Sequence, residues 1–211
     1  MDLYVLIDNG VVRHSLFALV PHGTEASNIQ EGRRVRVCEF DPNLTELTGG
    51  EKIPVDHERP LRGIALMELV LENVPGAIVD QLAKVYVEDY NLQTSNCRHF
   101  LVAALKWIVQ KLQMDEARVL AAKDILFSII KQAREENERH WTAKAGVILG
   151  AGALLGAAAV SGGILAPAAY AATVATGGVG AGTTFAISRS RVTNYESLEA
   201  TWSATAKLRR N

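Results

Sequence analysis

The chain is poor in cysteine and histidine, and its charges balance. Two cysteines, Cys38 and Cys97, stand among 211 residues. Their number and spacing exclude a disulfide framework and a zinc knuckle. With 22 basic and 23 acidic side chains the formal net charge is −1, so no basic surface argues for nucleic acid as a partner. The N-terminal stretch has no basic n-region and meets Asp8 before its apolar run is long enough for a signal peptide. It is expected to be a first β-strand, in a domain facing the cytosol, where thiols stay reduced.

The absence that most divides the chain is one of charge. Charged residues are spread through 1–144, then none occurs between Lys144 and Arg189. A transmembrane helix needs about 20 apolar residues. The 44 uncharged residues of 145–188 therefore suffice for two helices, 145–165 and 168–188, turned at Gly162-Gly163 and Pro167. Glycines recur four apart at Gly146 and Gly150, Gly152 and Gly156, and Gly178 and Gly182. That spacing lets helix backbones approach closely in lipid, within one chain or in a homo-oligomer. Arg139 and Lys144 precede the run, and Arg189 and Arg191 follow it. The positive-inside rule then puts both flanks on the cytosolic side, as a hairpin allows and a single span does not. A soluble Ala-rich helical pair is the alternative, but such helices would have no polar face for water.

Upstream, 1–60 reads as β-rich, with strands at 3–7, 14–20 and 35–40 separated by Asn9-Gly10, Pro21-His22-Gly23 and Glu31-Gly32. Residues 62–88 read as helical, broken at Pro75-Gly76. Ser95 or Asn96 is placed to cap a helix from Cys97, whose Leu101, Leu105, Ile108 and Leu112 fall on one face. Another amphipathic helix is expected over 115–142. The tail restarts at Thr193-Asn-Tyr-Glu196 with a capping-box pattern; its Tyr195, Leu198 and Trp202 share a face suited to a short interfacial helix, with a frayed tail as the alternative. The expected division is a domain over 1–112, a helical connector over 113–144, an apolar membrane hairpin over 145–188 and a basic amphipathic tail over 189–211.

Chemistry concentrates at Cys97. A thiol opening a helix lies near unpaired backbone N–H groups and the positive end of the dipole, with Arg98 and His99 adjoining it. These features lower a thiol's pKa, and the thiolate is the nucleophile. A thiol enzyme also needs a base and a group that orients the base. His14, at the start of the strand His-Ser-Leu-Phe-Ala-Leu-Val, suits the first role. If the chain turns at Pro21–Gly23, Gln30 and Asn28 fall opposite or diagonal to His14, a register slip brings Glu31 there, and a longer turn admits Glu25. Asn96 and Arg98 are candidates to support the oxyanion and the thiolate. Asp56-His57-Glu58 has metal-ligand residue types, but three neighbours cannot all face one ion on a regular element, so a solvated loop is expected. Cys38 reads as a strand residue of the core. His99 points about 200 degrees from Cys97 around the helix, which suits packing. His22 sits in the turn, too far to orient His14.

The string Tyr90-Asn-Leu-Gln-Thr-Ser-Asn-Cys-Arg-His-Phe100, together with Arg13-His14-Ser-Leu-Phe-Ala-Leu-Val upstream, resembles the motifs of the permuted papain-like thiol enzymes. In these the histidine lies on an early strand and the cysteine on a later helix. The resemblance covers about residues 1–112. It implies an α+β domain with an antiparallel sheet packed on the Cys-bearing helix, to which the apolar hairpin is appended. Two branches are similar. The lecithin:retinol acyltransferase-like branch carries Asn-Cys-Glu-His-Phe, includes members with a C-terminal membrane anchor, and uses a second histidine across a hairpin. The PPPDE-type isopeptidases carry Tyr-Asn-Leu before Asn-Cys-Asn-x-Phe and cleave ubiquitin-like modifiers. Arg98 stands where the first has Glu and the second Asn. The first branch implies a membrane-anchored cysteine hydrolase or acyltransferase acting on lipid acyl esters, with no metal or organic cofactor. The second implies an isopeptidase acting on ubiquitin-like proteins, and a catalytically degenerate membrane-bound binding domain is the non-enzymatic alternative.

Overall fold

The computed structural model describes residues 1–8, 14–24, 29, 32–87, 96–136 and 195–209. The proposed hairpin over 145–188 lies outside them. Among the described residues no helix is long and apolar enough to cross a membrane. Contacts divide the chain into one compact unit of Met1–Ala133 with Thr193–Asn211 and a second of Arg134–Val192.

The first unit is α+β. Strands β1 (Asp2–Asp8), β2 (Ser15–Val20), β3 (Arg34–Glu39), β4 (Val55–Pro60) and β5 (Ile64–Leu71) form one antiparallel sheet in the order β4-β3-β2-β1-β5. A short helix α1 (Gly76–Val79) follows, then α2 (Cys97–Lys111), α3 (116–136) and α4 (Tyr195–Ser203).

Leu3–Ile7 of β1 and Leu16–Val20 of β2 are apolar throughout because both faces of the sheet are covered there. One face carries Leu3, Val5, Ile7, Phe17, Leu19, Cys38 and Phe40, buried with α2, α3 and Leu198 of α4. Phe100 of α2 sits between Phe17 and Phe40, edge-on to each with centroids 6.5 Å apart. The other face carries Tyr4, Leu6, Leu16, Ala18, Val20, Val35 and Val37, closed by Ile29 and Leu61.

Two expectations are corrected. Residues 64–71 are not helical but form edge strand β5, paired to β1. A near-continuous apolar run such as Ile-Ala-Leu-Met-Glu-Leu-Val-Leu fits a buried helix or a buried strand equally, and the unpaired edge of β1 decides it. Asp56-His57-Glu58 is not a solvated loop but the middle of β4, registered as Asp56↔Cys38, His57↔Val37 and Glu58↔Arg36. Alternation then separates its side chains: Asp56 pairs with Arg36, while His57 turns to the face of Val35 and Val37.

The tail also packs more closely than an interfacial helix would. Leu198 is fully buried, and Phe127 of α3 meets Tyr195 and Trp202 of α4 edge-on. Lys106 of α2 donates to the carbonyls of Trp202 and Ala204, closing the C-terminal end of α4. A bridge between Val85 and Leu208 fixes the segment after it.

Candidate active site around Cys97

Cys97 is the first residue of α2, and Asn96 is its N-cap. The Asn96 side chain accepts from the Arg98 amide at 3.0 Å, and His99 Nδ1 accepts from the Asn96 amide at 3.4 Å. This reciprocal capping box uses His99 in the place more often held by Glu or Gln. His99 Nε2 meets Ser197 Oγ at 2.8 Å, so its ring is spent on the helix cap and on α4. Burial first, and the Arg98 charge second, push its pKa down to about 4.

His14 is held at the entrance to β2 by two bonds to the end of β1. Its amide donates to Asp8 Oδ1 at 2.9 Å, and its carbonyl accepts from the Asp8 amide at 3.0 Å. At this end of the sheet the imidazole meets groups from both faces. Nε2 lies 2.7 Å from Glu39 Oε2, and the ring hydrogen-bonds the Cys97 thiol. With Nε2 engaged by Glu39, Nδ1 is the nitrogen left to serve the sulfur. The backbone amide of Ser15 also bonds Cys97. The Ser15 hydroxyl is buried without a partner among the described residues.

The electrostatics follow from this packing. Burial alone would raise the Cys97 pKa, but the His14 charge and hydrogen bond, then Arg98 and the Ser15 amide, outweigh it and bring the thiol below its ordinary value. Burial likewise opposes protonation of His14. The Cys97 charge and bond, with Glu39 behind them, overcome it and push the imidazole up to about 10. The two shifts describe one coupled object, and both favour its thiolate–imidazolium form. Glu39 is fully buried. Its pKa is raised by that burial and lowered, with net effect downward, by His14, Arg59 and His57. It therefore stands as an anion beneath the imidazolium.

The structure brings together Cys97, His14, Asn96 and Arg98. Gln30, Asn28 and Glu31 lie outside the described residues, as do Tyr90, Asn91 and Leu92. The carboxylate on His14 is Glu39, which the sequence reading did not single out. It opposes Leu16 in the β2–β3 register, so it lies diagonal to His14 on the same side. A turn confined to Pro21–Gly23 would pair other residues with His14, but β2 ends at Val20 and β3 starts only at Arg34; Glu25, the candidate for a longer turn, lies outside the described residues. His22 binds Asp2 Oδ1 at 2.7 Å, away from the site as expected. Cys38 is fully buried in the core, and burial chiefly raises its pKa well above an ordinary thiol's.

A cavity of about 400 Å³ opens beside His99 and Ser197, with Ala103, Ala200 and Lys207 among its walls. Neither Cys97, His14 nor Glu39 lines it, so it is separate from the thiol. Among the described residues no group of three or more His, Cys, Asp or Glu side chains is arranged to hold a metal ion. The chain matches no family model, and neither a curated protein nor a solved structure gives a match.

Proposed function

We propose that the chain is a membrane-associated, cysteine-dependent acyl hydrolase or acyltransferase acting on lipid acyl esters, of permuted papain-like type. The observation that carries this reading is the His14 ring held between the Cys97 thiol and the buried Glu39 carboxylate. Thiol catalysis needs a nucleophile, a base and a group that orients the base, and Cys97, His14 and Glu39 are of the types to fill those three roles.

The steps follow from the ionisation. The Cys97 thiolate attacks the acyl carbonyl carbon, forming a C–S bond as the carbonyl electron pair moves to oxygen. The oxyanion would be met at the start of α2 by the backbone N–H of Cys97 and the positive end of the helix, since the Arg98 and Phe100 amides are bonded to Asn96. Collapse breaks the ester C–O bond, and the His14 imidazolium gives its proton to the departing alkoxide. A thioester and a neutral imidazole remain. His14 then takes a proton from water, or from an acceptor amine or hydroxyl, whose attack on the thioester restores the thiolate. Glu39 keeps Nε2 engaged and the opposite nitrogen aimed at sulfur. These steps call on no metal or organic cofactor.

Lipid is favoured as substrate class by the uncharged run 145–188, which would concentrate the domain at a bilayer. Phe127 of α3 packs on Tyr195 and Trp202 of α4, so a run that entered a bilayer between these helices would return to the same side, in keeping with a cytosol-facing hairpin. The isopeptidase alternative rests on Tyr90-Asn91-Leu92.

The test is covalent labelling of the full chain with a fluorescent phospholipid ester beside a ubiquitin-like protein bearing a C-terminal electrophile. The expected result is an acyl adduct on Cys97 from the phospholipid, absent in Cys97→Ala and at least about a hundredfold slower in His14→Ala. An adduct with the ubiquitin-like probe alone would replace the lipid reading by the isopeptidase one. Labelling by neither would remove the catalytic reading.

A further inference from the structure

Glu39 has a second histidine. His57 Nε2 lies 2.7 Å from Oε1, while Oε2 is held by His14 at 2.7 Å. Arg59 Nη1 approaches Oε2 at 3.5 Å. The β3–β4 register explains the cluster. Glu39 opposes Val55, and His57 is the next residue of β4 on the same face, at diagonal distance from Glu39. Strand β4 is an edge strand, so His57 and Arg59 stay partly exposed while the carboxylate beneath them is fully buried.

A buried carboxylate with one oxygen unbonded either turns to find a partner or takes up a proton. The first response would release the Nε2 of His14, and the second would remove the charge that strengthens its bond to Oε2. We propose that His57 is a positioning residue of the Cys97 site: by donating to Oε1 it pins Glu39 in the rotamer that presents Oε2 to His14. Arg59 supplies fixed positive charge beside the same carboxylate. Control thus runs from an exposed sheet edge, through Glu39 and His14, to a thiol at the start of α2. The inference rests on the thiolate–imidazolium reading of Cys97 and His14, and it deepens that reading by naming what sets the strength of the pair.

The groups that face the relay are few. Glu39 faces His14 from the start of β2, and His57 and Arg59 from β4. Cys97 faces His14, with Arg98 beside it on α2. Asp56 is occupied by Arg36 and does not compete for His57.

The experiment is the pH profile of iodoacetamide alkylation at Cys97, read peptide by peptide with Cys38 as internal control. The set is wild type, His57→Phe, His57→Ala, His57→Gln and His14→Ala in the full chain. Phe keeps a ring without a donor, Ala removes the donor without adding bulk, and Gln restores an N–H. Loss of one charge-assisted hydrogen bond, transmitted through Glu39, should slow Cys97 at pH 6 by about fivefold to tenfold in Phe and Ala. The midpoint should move upward in both, and Gln should stay within about twofold of wild type. A purely structural role for His57 would lower thermal stability without moving the midpoint. A low wild-type midpoint that His14→Ala raises but neither His57→Phe nor His57→Ala moves would overturn the proposal and leave the Cys97–His14 pair intact. An ordinary wild-type midpoint that ignores His14→Ala would overturn the underlying reading, and the proposal with it.

Discussion

Cys38 and Cys97 are both buried, yet their surroundings drive them in opposite directions. Cys38 sits mid-strand with the acidic Asp56 and Glu39 adding to its burial, and it is held as a neutral thiol. Cys97 sits at a helix start beside the His14 ring and the Arg98 guanidinium, and these outweigh its burial and bring its pKa below the ordinary thiol value. The histidines divide in the same way. His14 gains a thiolate and a carboxylate and rises to about 10, whereas His99, beside Arg98 and spent on a helix cap, falls to about 4. Desolvation acts on all four groups. The sign of the nearest charge separates a reactive pair from packing residues.

The comparison can be tested most severely through the two thiols. Cys97→Ala should lower acyl transfer by at least about a thousandfold with little change in melting temperature. Cys38→Ala should leave the rate within about twofold and cost about 1–2 kcal/mol of stability, because it removes a sulfur from a packed core. Comparable losses of activity in both variants would erase the distinction. Glu39→Gln comes next. It keeps the shape but removes the charge under His14, and a rate loss of roughly a hundredfold is expected from steady-state kinetics. Loss of less than threefold would mean that His14 needs no anionic partner.

The histidine contrast is sharpened by acid titration of stability. His99 is neutral in the fold, and its pKa lies below the ordinary value. The unfolded chain therefore gains a proton before the folded one does. Stability should be full above about 6.5 and fall as the pH drops toward 4, by at most about 3 kcal/mol from this residue. Denaturant unfolding of His99→Gln across that window should show a shallower fall than wild type, and an unchanged slope would contradict the assignment. His14 acts with the opposite sign. Raised by its partners, it stabilises the fold below its unfolded value, and the contribution is lost as the pH rises through about 10.

Much of this contrast was legible in residue order. Asn96 before Cys97 marked the helix start, and the early strand behind His14 put an imidazole where a sheet end can meet a helix N-terminus. The apolar runs of β1 and β2 marked the central strands. What stayed hidden depends on pairing at a distance. In the sequence Glu39 is only one residue of a strand, because its relation to His14 depends on the length of the connection from Val20 to Arg34. The alternation in Asp56-His57-Glu58 becomes visible only once β4 has a partner. The apolar run of β5 lacks a period that would separate strand from helix.

The measurement closest to the central claim is an ultraviolet titration of thiolate absorbance in the full chain, wild type beside His14→Ala. One thiolate should already be present well below the ordinary thiol pKa of about 8.5, assigned to Cys97 by its absence in Cys97→Ala and shifted upward by loss of His14. Two thiols that both ionise at or above the ordinary range, unmoved by His14→Ala, would contradict the thiolate–imidazolium pair and the catalytic reading built on it.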